Sequence, residues 1–361
     1  MRTAQRETMS NPSEKQPIKI TLDDLAAVTV PETSGVPAIT SSSGAKSYGT
    51  ITEAADQFVP VSEERGSILL QGWFYLGVAG FLGAIIGWAI CEPAFIDGGK
   101  VQHWGNIVMV PTILMLMCIG FGVAESIVER SLQKAVLRGV LALPLGLVLG
   151  FVFYFMANML YNVALGICYE AGAQSYRNPA VWLARGIAWM VFGAAGGVVY
   201  GIVGQSSKKG YYGVLGGLIG AGIGGVIFDP IAMLTKGASL SRCVGFALVG
   251  LATGVAMGLV ESALKDRWLY VVSGPLAGKQ FILYKSETNI GSRQESDIYL
   301  FKDPNILSQH AQIQITGARV QLRATGPVHC LGQLVRTRVL QDGDVLQLGR
   351  YTFRYKEKHR S

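Results

Sequence analysis

Six long apolar segments interrupt an otherwise mixed chain, near residues 67–90, 106–125, 137–158, 180–204, 211–235 and 242–263. Each is close to the roughly 20 residues that an α-helix needs to cross a bilayer. Each also ends at charge or turn residues, such as Cys91-Glu-Pro93, Arg177-Asn-Pro179 and Lys208-Lys-Gly210. The pattern predicts six transmembrane helices over residues 67–265, the third with an amphipathic extension to about residue 168. Before them, residues 1–66 are rich in Ser, Thr, Pro and Glu without periodic apolar spacing, which predicts a disordered cytoplasmic tail. After them, from Trp268, short alternating runs separated by turn residues (Trp268–Val272, Gln280–Tyr284, His310–Ile315, Arg319–Arg323, Val345–Leu348, Tyr351–Tyr355) predict an all-β sandwich over 266–361. The fold class is therefore multi-domain: an α-helical polytopic membrane region followed by a β-sandwich.

The apolar region repeats itself. Gly83-Ala-Ile-Ile-Gly87, Gly146-Leu-Val-Leu-Gly150 and Gly220-Ala-Gly-Ile-Gly224 fall in the first, third and fifth segments. Gly122-Val-Ala-Glu-Ser-Ile-Val-Glu129, Gly197-Val-Val-Tyr-Gly-Ile-Val-Gly204 and Gly254-Val-Ala-Met-Gly-Leu-Val-Glu261 end the second, fourth and sixth. Helices 1–2, 3–4 and 5–6 thus read as three copies of one hairpin. Glycines four apart share a helix face and admit a neighbouring backbone, so Gly83, Gly87, Gly146, Gly150, Gly220 and Gly224 are expected to pack helices in lipid. Ile90-Cys-Glu-Pro93 also matches Ile227-Phe-Asp-Pro230, so Glu92 and Asp229 are expected to end helices symmetrically, with Glu125, Glu129 and Glu261 also at helix ends. Arg185, two turns into the fourth helix, is expected to snorkel to the interface.

Composition agrees with a membrane chain: half of the 361 residues are hydrophobic, 15% are charged and 46 are Gly. A purely soluble enzyme is excluded as the whole description. The +7 net charge is uneven, with six Lys/Arg against nine Asp/Glu in 1–66, eleven against seven in 67–265, and fourteen against eight in 266–361. The basic residues of the last region are scattered, which suits an anionic protein or lipid better than nucleic acid. An even number of crossings puts both termini on one side. That side carries Arg65, Arg130, Lys134, Arg138, Lys208, Lys209, Lys265 and Arg267, whereas the other carries Lys100, Arg177, Lys236, Arg185 and Arg242. The bias predicts N- and C-termini in the cytoplasm of a plasma (inner) membrane protein. The five Cys and four His show no ligand spacing, catalytic constellation or nucleotide loop, so no metal, cofactor or enzymatic activity is expected.

Gly274-Pro-Leu-Ala-Gly-Lys-Gln-Phe281, Asn289-Ile-Gly291, Asp297-Ile298, Ser308-Gln-His-Ala-Gln-Ile313 and Asp342-Gly-Asp-Val-Leu-Gln-Leu-Gly349 resemble the forkhead-associated (FHA) family in order and spacing. The resemblance implies an eleven-stranded sandwich whose loops bind phosphothreonine peptides. It makes Gly291 and His310 structural, and Ser308, Arg293, Ser292 and Gln309 the candidate phosphopeptide contacts. The family's Ile-Gly-Arg is Ile290-Gly291-Ser292 here, with Arg293 one place later, and its Ser-Arg-x-His has Gln309 for the Arg. Its peptide-binding Asn has no match near Cys330-Leu-Gly332. Arg323 and Arg336 are further basic candidates. The sequence supports a membrane adaptor or scaffold that recruits a protein partner, either Thr-phosphorylated or phosphate-independent. The alternative is a channel or transporter for a solute or lipid, regulated by the FHA-like domain.

Overall fold

A computed structural model describes residues 67–97, 103–173, 175, 177–235 and 237–358. The predicted tail, Lys100 and Lys236 lie outside the described residues.

Six helices are long and apolar enough to cross a membrane. They are α1 (Gly72–Cys91), α2 (Trp104–Val128), α3 (Leu132–Glu170), α4 (Pro179–Val203), α5 (Ser207–Leu234) and α6 (Ala238–Leu264). The limits differ from the hydropathy segments by a few residues, except at α3. There the helix starts five residues early and runs unbroken through Pro144 to Glu170, close to the expected extension to about residue 168, for about 58 Å at 1.5 Å per residue. The connections between hairpins share one design. Arg130 and Gln205 both take positive φ, and Ser131 and Ser206 follow as N-caps, their hydroxyls accepting from the amides of Lys134 and Lys209.

Each helix packs on the next, and α6 returns to α1, so the three hairpins close into a ring. Glycines make the seams between hairpins. In α4, Gly193, Gly197 and Gly201 lie against Gly217, Val214 and Gly210 of α5 so closely that no Cβ would fit. In α6, Gly250, Gly254 and Gly258 lie in the same way against Gly80, Leu76 and Trp73 of α1. The corresponding residues of α2 are Cys118, Gly122 and Ser126, so the α2/α3 seam keeps one of the three glycines. Gly83 and Gly87 face Met117 and Ile113 of α2, and Gly220 and Gly224 face Thr253 and Val249 of α6, each in its own hairpin. Gly146 and Gly150 of α3 instead face Met115 and Pro111 of the preceding hairpin. Leu76, Met109, Ile113, Met117, Phe121, Tyr200, Phe246 and Met257 form one buried cluster inside the bundle.

Two ion pairs bolt the glycine seams, and here the structure corrects the sequence expectation. Asp229 does not end a helix; it lies inside α5 with Arg185 Nε 2.8 Å from its Oδ2. Arg185 does not reach away to the interface. Its guanidinium also donates to the Tyr161 hydroxyl at 3.0 Å and lies over the rings of Tyr161, Trp189 and Phe228. Arg242, at the matching position of α6, pairs with Glu92 beyond α1 and with Asp97. A charge in the bilayer is tolerated when it is paired in this way. The matching positions at the third seam are Val110 and Phe155.

The chain then forms nine strands: β1 (Arg267–Ser273), β2 (Gln280–Ile282), β3 (Glu287–Gly291), β4 (Ile298–Tyr299), β5 (Ala311–Thr316), β6 (Arg319–Cys330), β7 (Gln333–Val339), β8 (Val345–Leu348) and β9 (Tyr351–Glu357). The FHA resemblance implies eleven strands; nine occur among the described residues. The order is β2-β1-β9-β8-β6-β5-β3-β4, with β7 on β6, and every pairing is antiparallel except β3 with β4. β6 joins the two halves of the sandwich by pairing β5 early and β8 late. Alternate strand residues such as Leu269, Val271, Ile313, Leu322, Leu346, Phe353 and Tyr355 fill the core.

Candidate functional site

Three chain segments meet where the resemblance places the peptide loops. β3 ends at Gly291, which lies against the Ser308 carbonyl with no room for a Cβ. The next amide, Ser292 N, donates to Leu307 O at 3.0 Å and brings Ser292 beside the Leu307–Ser308 stretch. His310 is fully buried. Its Nδ1 accepts from Leu307 N at 3.1 Å and its Nε2 lies 3.1 Å from Pro327 O, an arrangement that suits the neutral ring protonated at Nε2. Its carbonyl accepts from both Thr325 N and Gly326 N at 2.9 Å. His310 thus ties the β4–β5 loop to the bulge in β6, where the register shifts between Arg323 and Val328. The neighbour of Ser308–His310 is therefore Ala324–Pro327.

Asp303 supports the same loop. Its Oδ2 accepts from Arg350 N at 2.8 Å and its Oδ1 from Asn305 N at 3.0 Å. The amide of Arg350 holds this carboxyl below the usual carboxylate range, with that of Asn305 acting in the same direction against partial burial. Lys302-Asp-Pro-Asn305 carries turn residues, the only sequence signal for this role.

Ser308 and Gln309 are exposed, with Leu307 47% exposed beside them. Ser292 is half-buried. Arg293 is exposed and lies 3.6 Å from Glu295, with both side chains more than half in solvent. The β3–β4 loop that carries Arg293 is fastened to the start of α3. Ser131 Oγ donates to Gln294 O at 3.3 Å, Gln133 N to Gln294 Oε1 at 3.1 Å, Gln133 Nε2 to Glu295 Oε1 at 3.0 Å, and Lys134 Nζ to Asp297 O at 3.3 Å. The structure brings Ser292 and Ser308 together. It leaves Arg293 on a loop occupied with the membrane helices.

That fastening extends into a buried polar layer the sequence reading did not find. Lys279, in the turn before β2, places Nζ 2.7 Å from Glu129 Oε1 at the end of α2. Lys134 Nζ is 3.6 Å from the other oxygen of Glu129. Glu125 takes Lys209 at 2.6 Å and Arg138 at 3.1 Å. Glu261, at the repeat position of Glu129, accepts from the hydroxyls of Tyr200 and Tyr284. Burial pushes the Tyr284 phenol well above its ordinary value, and the Glu261 carboxylate adds to the shift. Arg130 lies over the Phe301 ring at 5.5 Å. The two glutamates that close the repeat motif thus serve as posts for the sandwich.

Among the described residues no group of three or more His, Cys, Asp or Glu is placed to hold a metal. All five cysteines are unbonded.

Residues 270–359 match the family model described as "Inner membrane component of T3SS, cytoplasmic domain". Solved structures similar to this region include FHA domains. That of CT664 from Chlamydia trachomatis is 27% identical, over 26% of this chain and 99% of its own, with TM-score 0.25. The cytoplasmic domain of the T3SS sorting platform protein PscD from P. aeruginosa is 23% identical, over 27% of this chain and 83% of its own, with TM-score 0.24. The FhaA FHA domain, solved with the intracellular domain of Rv3910, is 22% identical, over 25% and 100%, with TM-score 0.23. Among curated proteins none matches the chain. The chain carries an FHA-like β-sandwich behind six helices long and apolar enough to cross a membrane.

Proposed function

We propose that the chain is an inner-membrane scaffold, with both termini in the cytoplasm, that recruits a protein partner through the β4–β5 loop and the adjoining β6 bulge without requiring phosphate. The division into a tail (1–66), a six-helix region (67–265) and a sandwich (266–361) belongs to this reading, as does the assignment of a binding role and no catalysis. The observation that carries it is the position of Arg293. Phosphate recognition relies on several charge-assisted contacts together. Here Arg293 faces Glu295, on a loop held by Ser131 and Gln133, while Leu307, Ser308 and Gln309 stand exposed. The description of the matching family, a cytoplasmic domain of an inner-membrane component, supports the same placement. Aromatic and methionine side chains fill the inside of the bundle, which supports the scaffold reading over the transport alternative.

The test uses the full chain in lipid nanodiscs against paired phosphothreonine and unphosphorylated peptide libraries. Equal binding of a pair, weakened by Leu307→Asp, is expected. A preference for the phosphorylated member that Ser308→Ala abolishes overturns the phosphate-independent reading in favour of phosphothreonine recognition.

A further inference from the structure

β7 closes the sandwich on one side and is itself left open. Gln333–Val335 pair with the late part of β6 and Thr337–Val339 with the early part, so β7 borders both halves. Among the described residues no strand pairs with its other edge. Four large apolar side chains are exposed on the sandwich. Leu307 lies at the candidate loop, whereas Leu331, Leu334 and Val339 lie on β7 or the turn before it, Leu334 at 66% exposure. A long edge with exposed apolar residues pairs with a further strand unless charge or cover prevents it. Of the two arginines on β7, Arg338 is held by Asp344. Arg336, and Arg323 across from Thr337 on β6, are exposed and have no ion-pair partner among the described residues.

The chain itself carries a segment of opposite charge. Residues 1–66 hold nine Asp/Glu against six Lys/Arg, with two adjacent acidic pairs, Asp23-Asp24 and Glu63-Glu64. An even number of crossings puts these residues on the sandwich's side of the membrane. Near the start of α1, Leu70 and Gln71 lie beside Gln280 and Ile282 of β2. β2 is five strands from β7, about 24 Å at about 4.8 Å per strand. Glu63-Glu64 can extend only about 14 Å from Ser67, and Arg65 follows it. Asp23-Asp24 is about 40 residues from Ser67, a length that spans about 35 Å as a flexible chain and so reaches β7.

We propose that Thr21–Ala26 adds to the free edge of β7 as an antiparallel strand. In that pairing Asp24 stands across from Arg336, and Leu25 across from Val335. Asp23 stands across from Thr337, on the face that carries Arg323. Main-chain hydrogen bonds supply the affinity of such strand addition, and the paired charges set its register. A second copy of β7 fits the edge less well, because Arg336 and Arg338 would meet like charges. The assignment is independent of what the β4–β5 loop binds.

The test places photoreactive benzoylphenylalanine at Leu334 of the full chain in lipid nanodiscs and maps its cross-links by mass spectrometry. Cross-links to the peptide that contains Asp23-Asp24 of the same chain are expected. Asp23→Arg with Asp24→Arg should lower their yield about fivefold, the effect of two exposed charge pairs made repulsive. Arg323→Asp with Arg336→Asp should do the same. The four changes together should restore the yield, which separates a charge contact from a misfolded edge. Mixing light and heavy isotope-labelled chains distinguishes a chain's own tail from a neighbour's. Cross-links between light and heavy chains would assign the edge to a second copy and overturn the proposal. So would cross-links confined to other segments, or a yield indifferent to the charge reversals.

Discussion

Lys279 and Glu129 lie 150 residues apart in sequence, yet their charged groups meet at 2.7 Å with each side chain 2% exposed. One belongs to the β-sandwich and the other to the end of a membrane helix, so the domain is bolted to the bundle. Removing one partner of a buried pair costs about 3–5 kcal/mol where the other charge is stranded, and less here because Lys134 still lies 3.6 Å from Glu129, whereas an apolar pair of similar volume is close to neutral. Lys279→Met should therefore lower the thermal midpoint and open the sandwich to limited proteolysis near Lys265. Lys279→Met with Glu129→Leu leaves Lys134 without its carboxylate, so recovery should need the triple variant that adds Lys134→Met. A single variant as stable as the wild type would show that the pair does not hold the domain.

The same logic separates the two seam bolts in the bundle. Arg185→Leu strands Asp229 inside α5, and Arg242→Leu strands Glu92. Glu92 lies beyond the end of α1, nearer to water. Loss of Arg185 should thus be the more damaging of the two, read as the fraction folded during titration with a denaturing detergent. Arg185→Leu with Asp229→Leu should be nearer to the wild type than either single change. The ranking fails if Arg242→Leu is the more damaging.

Glycine plays opposite parts at Gly254 and Gly166. A Cβ on Gly254 would run into the Leu76 carbonyl and the Gly77 amide of α1, backbone that cannot step aside. Gly254→Ala should cost about 1–3 kcal/mol, the range of overpacked sites. A Cβ on Gly166, within α3, meets nothing within 4 Å. Gly166→Ala should instead stabilise by about 0.5–1 kcal/mol through helix propensity. Thermal midpoints in one detergent compare the two; equal shifts of the same sign would remove the seam argument.

How much of this was legible follows the range of each signal. Helices and hairpin copies are written locally, in apolar runs and in recurring motifs such as Gly197…Gly204 and Gly254…Glu261, so their number and order could be read directly. The end of α3 was legible too, as an amphipathic extension to about residue 168, whereas its start at Leu132, five residues before the apolar run, was not. The ion pairs depend on which helices become neighbours. Arg185 meets Asp229 across 44 residues only because α4 packs against α5, and a single-helix view leaves it snorkelling. At the candidate loops the Ser308–His310 motif was visible. The partner bulge at Ala324–Pro327 was not, because it is a register shift rather than a residue pattern. The docking of the sandwich had no sequence signal beyond charges at helix ends.

Acid should loosen the candidate loop before the sandwich. The Asp303 carboxylate binds the amides of Arg350 and Asn305, which hold its pKa below the usual carboxylate range. A carboxyl with a lowered folded pKa contributes stability that is complete above its unfolded value, about 4, and is lost as pH falls through the lowered one. Hydrogen exchange over Asn305–Gln309, corrected for intrinsic rates, should therefore show protection at pH 6 that declines toward pH 3. Asp303→Ala leaves two amides without their acceptor, at a cost of about 1–3 kcal/mol, and should remove both the protection and its pH dependence. Because Leu307 and Ser308 ride on that segment, the variant should also weaken peptide or partner binding at neutral pH, with the buried Lys279–Glu129 bolt intact. Protection in Asp303→Ala that still declines with acid would assign the pH effect to another group.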